Sequence, residues 1–143
     1  MKVILHQHGL TLGDNYVISQ QTARACLKYT AAQSNVPPSA AYLARAQSPS
    51  IDVSSAGEWR SSSIQLNVLE SRSCQTVKKL GLLLQQGTPW KDLNMECVAT
   101  SRAYVEVFVL RSFIRTTNET TDTTLHEPLD KLRNLVHFIY CSS

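Results

Sequence analysis

No stretch of this chain is apolar for long enough to cross a bilayer, and no run of basic residues exceeds the pair Lys78-Lys79. The first absence excludes a membrane-spanning helix. The second removes the continuous basic surface on which a dedicated nucleic-acid binder relies. The four cysteines (Cys26, Cys74, Cys97 and Cys141) stand far apart with no Cys-x-x-Cys, and the four histidines supply no matching spacing. A zinc site is therefore not expected, and reduced, buried thiols are. Glycine-rich phosphate loops, paired carboxylates and a nucleophile–base pair are also missing. Met1 to Leu5 is too short for the apolar core of a signal peptide, and His6 and His8 interrupt it. The Asn118-Glu119-Thr120 sequon is read as chance in the absence of a secretory signal.

What is present reads as one globular unit over residues 1–143. The composition is 43% apolar and 17% charged, with a net charge of only +3, which suits a chain with a real core. No alternation of period two and no internal repeat is found. Four helical segments are separated by polar punctuation, so the expected fold is an all-α bundle of four main helices.

The first helix is expected from about Asn15 to Ala32, with Asp14 or Asn15 as its cap. Its best apolar face is Ile18, Thr22, Ala25 and Tyr29, with Leu27. Pro37 and Pro38 break the chain. A short helix is expected over Ala40 to Ala46, then a linker over Gln47 to Ala56. The second long helix is expected over Gly57 to Gln86, with Leu66, Leu69, Cys74, Val77, Leu80 and Leu84 near one face. Gly87 is its natural stop. Thr88 then caps a third helix, with Pro89 at its first position, running to about Arg115. Trp90, Leu93, Cys97, Tyr104, Val107, Phe108 and Ile114 line one side of it, and Val105, Val109 and Phe113 a second. After a Thr-rich loop, Thr124 to Glu127 reads as a capping box. It opens a last helix that buries Leu129, Leu132, Leu135, Val136 and Ile139.

The segment Gly13-Asp14-Asn15-Tyr16-Val17-Ile18-Ser19-Gln20-Gln21-Thr22-Ala23-Arg24 resembles the Glu-Gly-Asp-Asn-x-Val-Leu-x-Gln-Gln-x-Ala-Arg segment of flavin-dependent acyl-CoA oxidases. Gly87-Thr88-Pro89-Trp90, Ser101-Arg102-Ala103-Tyr104 and Val107 to Ile114 resemble, by pattern, the C-terminal helical domain of that family. The resemblance covers Gly13 to Ile139. It implies that Asp14 and Asn15 lie next to flavin and substrate, with Gln20, Gln21 and Arg24 on the helix behind. It also implies that the family's catalytic Glu is replaced by Leu12, which cannot accept a proton. The family's N-terminal helical domain and β-domain, which build most of the flavin pocket, have no counterpart in the resemblance. The C-terminus, Tyr140-Cys141-Ser142-Ser143, is not a Ser-Lys-Leu address, so a cytoplasmic rather than peroxisomal location is expected.

Candidate catalytic residues are Asp14, His8 and His6, three titratable groups at the start of the first helix. The default reading of Asp14 is a helix cap, and that of the histidines a frayed, polar terminus. Candidate substrate-binding residues are Asn15, Tyr16, Arg24, Trp90 and Tyr104; with Trp59, the aromatic ones also suit core packing. Glu106, four residues after Arg102, reads as a surface ion pair.

Three readings follow. The first is a cofactor-independent cyclase, isomerase or dehydratase acting on an apolar acyl or polyketide-like substrate. The second is a non-catalytic dimerisation or docking module. The third is a subunit of a split FAD-dependent oxidase. No metal or bound cofactor is expected of the isolated chain. The wide apolar surface of the third helix points to a homodimer, and no membrane or nucleic-acid partner is expected.

Overall fold

The computed structural model describes residues 2–32, 35–45 and 58–141, with side chains for 16–32, 35–45, 58 and 60–138. Four α-helices carry it: α1 (Lys2–Ala31), α2 (Ser62–Gln85), α3 (Asn94–Glu119) and α4 (His126–Cys141). Short 3-10 turns occupy Pro38–Ala44, Glu58–Arg60, Trp90–Asp92 and Thr123–Leu125, and the described residues contain no strand. The fold is all-α, as the periodicity predicts. The expected linker over Gln47 to Ala56 lies outside the described residues.

Helix α3 is the axis of the bundle. It packs on α1, α2 and α4, whereas α1 and α2 touch each other far less. The core has two parts. One gathers Cys26 from α1, Ala40, Tyr42 and Leu43 from the 3-10 turn, Leu69, Cys74 and Val77 from α2, and Val107 and Leu110 from α3. The other gathers Ala23, Leu80, Leu93 and Cys97. Removing side chains of this size from water stabilises by roughly 1.5–3 kcal/mol each for the branched aliphatics. The apolar positions named for α2 accordingly fall on its packed side, with Leu69, Val77 and Leu80 almost fully covered.

Several boundaries differ from expectation. Helix α1 starts at Lys2, not near Asn15, so Asp14 and Asn15 are interior positions and not caps. Gly9 and Gly13 are the weak points there, but each glycine costs a helix only about 1 kcal/mol relative to Ala, which does not terminate it. The buried face of α1 is Ala23 and Cys26, while Ile18 is exposed. The chain turns after α1 with Asn35 at φ 63, a left-handed position that Asn tolerates. The expected short helix is a 3-10 turn over Pro38–Ala44, with Arg45 donating back to the Tyr42 carbonyl.

Helix α2 starts at Ser62, after the separate turn Glu58–Arg60. It ends as its sequence predicts. Gly87 takes φ 87, and the amides of Gly87 and Thr88 bond the carbonyls of Leu84 and Leu83 at 3.0 Å each. That pair of bonds is the Schellman stop, and it needs a residue without a Cβ penalty. The third helix does not start at Pro89. Pro89 precedes the 3-10 turn Trp90–Asp92, and α3 starts at Asn94. The tighter turn drives Leu93 into the core, and the Asn94 side chain donates from Nδ2 to the Lys91 carbonyl at 2.8 Å.

Helix α3 also runs past Arg115 to Glu119, through part of the expected Thr-rich loop. There the Thr117 hydroxyl donates to the Phe113 carbonyl at 2.9 Å, which satisfies it within the helix. The entry to α4 is capped by Asp122, not by a Thr124 box. Its carboxylate accepts from the Thr124 amide at 2.9 Å and hydroxyl at 2.6 Å. These bonds hold the Asp122 carboxyl below its ordinary range. Leu132 and Leu135 of α4 are about half exposed rather than buried, and the covered residue is His137. The Ile139 side chain lies outside those described.

Candidate functional site

The side chains of His6, His8, Asp14 and Asn15 lie outside the described residues, as does that of Trp59. Tyr16, the first described candidate, is exposed on α1. Two other candidates do meet. The Arg24 guanidinium lies over the Trp90 ring, 4.7 Å from its centroid. The indole supports the cation with its negative face. The Trp90 Nε1 is buried without a hydrogen-bond partner. Tyr104 is not part of this contact; it packs against the other half of the core, beside Tyr42.

The strongest electrostatic features are two carboxylates that sequence reasoning misplaced or missed. Glu106, expected on the surface, is 2% exposed. It accepts from Arg102 Nε at 3.0 Å and from Arg72 Nη1 at 3.1 Å, one guanidinium on each oxygen. Glu70, not singled out from the sequence, is equally buried and is held the same way. Arg45 Nη1 donates to one oxygen at 3.3 Å, and Arg111 Nη2 bonds the other closely. Arg111 also donates to the Pro38 and Ser39 carbonyls at 3.0 and 3.2 Å, and lies over the Tyr42 ring. One side chain thus fastens the 3-10 turn to both α2 and α3. A sequence signal existed for Glu70: it stands four residues after Leu66 and four before Cys74, on the apolar stripe of α2.

A carboxylate with a guanidinium on each oxygen anchors the helices that carry the arginines. Burial pushes the Cys26 thiol up to about 12 and also raises Cys74 and Cys97. All three are free and buried, as the spacing predicts. Burial likewise raises Tyr42, although its hydroxyl shares a 2.9 Å bond with Ser73. Among the described residues, no group of three or more His, Cys, Asp and Glu side chains is placed to hold a metal ion. No described helix is long and apolar enough to cross a membrane.

The family model for acyl-CoA oxidase matches residues 61–141, more than half of the chain. The chain belongs to the acyl-CoA oxidase family. The matched range opens one residue before α2 and closes at the end of α4, so it takes in three of the four helices and both arginine-held carboxylates. The Gly13 to Arg24 segment lies ahead of it. No curated protein and no solved structure matches the chain.

Proposed function

We propose that this acyl-CoA-oxidase-family chain is a non-catalytic assembly part of an FAD-dependent acyl-CoA oxidase, working with a part that carries the flavin and the base. One observation carries the reading. Within the family-matched helices, the two buried carboxylates, Glu70 and Glu106, are both saturated by arginines. They brace helices against one another, which is a structural use of a carboxylate. Exposed apolar side chains support an assembly role. Val98 and Val105 on α3 and Leu132 and Leu135 on α4 are each more than a third exposed. Such surface favours a protein partner, in the simplest case a second copy.

The test is a titration of the purified chain with FAD, followed by flavin fluorescence, together with an assay of acyl-CoA-dependent peroxide formation. The expected result is no saturable flavin signal and no peroxide. A micromolar flavin site with turnover would instead make the chain an oxidase in its own right.

The cofactor-independent cyclase or isomerase reading is favoured by one contact, Arg24 over Trp90, which joins two of its candidate ligand-binding residues. It depends on Asp14 or His8 moving a proton. Asp14→Asn and His8→Ala variants that fold and keep wild-type turnover on an identified substrate would dismiss it.

A further inference from the structure

A cleft of about 280 Å³ opens at the side of α3, lined by Pro38, Ser39, Phe108, Arg111, Ser112 and Arg115. Its walls divide by chemistry. Phe108 is half exposed and, with Pro38, gives an apolar side. Arg111 and Arg115, one helical turn apart, give a cationic side. Arg111 makes three hydrogen bonds, to Pro38, Ser39 and Glu70, which leave two of the five N–H donors of a guanidinium. Arg115 is exposed and has no hydrogen bond or ion pair among the described residues.

The charges do not cancel. Two guanidiniums, Arg111 and Arg115, line the cleft, and Glu70, the one carboxylate bonded to either, is shared with Arg45 outside it. Arg115 therefore keeps its full positive charge, and Arg111 keeps part of its own because Glu70 also serves Arg45. A phosphate monoester carries about −1.5 to −2 at neutral pH, and its oxygens match guanidinium forks. A carboxylate would supply half that charge.

We propose that this cleft binds a phosphate monoester with an apolar body, the phosphate between Arg111 and Arg115 and the body on Phe108 and Pro38. Ser112 adds a hydroxyl donor at the phosphate end. Arg111 stays in place because Glu70 and the two carbonyls hold it, so the site is formed before the ligand arrives. The inference rests on neither the assembly role nor any flavin chemistry.

The test is an amide-resolved NMR titration of the full chain with three probes: phenyl phosphate, inorganic phosphate and benzoate. Phenyl phosphate is expected to shift the Ser112 and Arg115 amides saturably, and to bind more tightly than either other probe. Arg115→Gln should weaken phenyl phosphate about tenfold or more, the usual effect of losing a charged hydrogen-bond donor. Phe108→Ser should bring phenyl phosphate down to the affinity of inorganic phosphate. Both side chains are exposed, so the variants should keep the wild-type spectrum elsewhere. The proposal is overturned if phenyl phosphate gives no saturable shift at millimolar concentration. It is equally overturned if benzoate binds as well, or if either variant binds phenyl phosphate like the wild type.

Discussion

Replacing Glu70 by Ala strands Arg45 and Arg111 without their shared anion and frees the Pro38–Ala44 turn from one of its fastenings. Breaking a buried pair from one side is destabilising, and the partial exposure of both arginines softens the loss. The expected cost of Glu70→Ala is about 2–3 kcal/mol, read as a lower midpoint in urea unfolding. Glu70→Gln keeps an acceptor and should fall between the two. If Glu70→Ala unfolds at the wild-type midpoint, the arginine clamp contributes nothing net. His137 gives a second residue-scale test. Burial lowers its pKa from the ordinary 6.5. The unfolded chain therefore takes up this proton before the folded one does, and stability is lost as pH falls from 6.5 toward the lowered folded value. His137→Gln should flatten that part of the stability–pH curve, measured between about pH 7.5 and 5.5, the span over which an ordinary histidine titrates.

Helix ends are where local chemistry and the observed elements can be compared most directly. The stop of α2 was legible, because only a glycine in the left-handed region completes the pattern of bonds at Gly87. Gly87→Ala has open space for its Cβ, so its cost is conformational alone. It should destabilise by roughly 1 kcal/mol through the positive φ, and a thermal melt would show the drop. The helix starts were less legible. At α3, Thr88-Pro89 carries a good start signal, yet burying Leu93 requires a tighter turn first. At α4, Asp122 outcompetes Thr124 because a carboxylate two residues upstream reaches both the amide and the hydroxyl. Glu106 was misplaced for a related reason. Spacing to Arg102 was readable, but the second arginine, Arg72, comes from another helix and has no signature in local sequence. The candidate site at the start of α1 was read from a family motif, and the start itself moved to Lys2.

At the scale of the whole molecule, the exposed apolar side chains of α3 and α4 lead to a direct measurement of mass. Light scattering at micromolar concentration should give the mass of a dimer, with a monomer as the contrary result. The double variant Leu132→Glu, Leu135→Glu should return the mass to that of a monomer, since both side chains are about half exposed and charge there opposes burial against a second copy.

The layout of the bundle around α3 also bears on the order in which it assembles. Helices α2 and α3 are adjacent in the chain, joined by the Gly87 turn and packed on each other more extensively than any other pair. Closing that hairpin costs little loop entropy. Helix α1 must instead find α3 across the long stretch between them, and it gains little from α2 alone. The α2–α3 hairpin is thus the natural nucleus and α1 the late arrival. A substitution at Leu80 should then slow folding, whereas trimming a side chain of α1 such as Ala23→Gly should mainly speed unfolding. Late docking would also let a nascent chain hold the α2–α3 pair before α1 has settled.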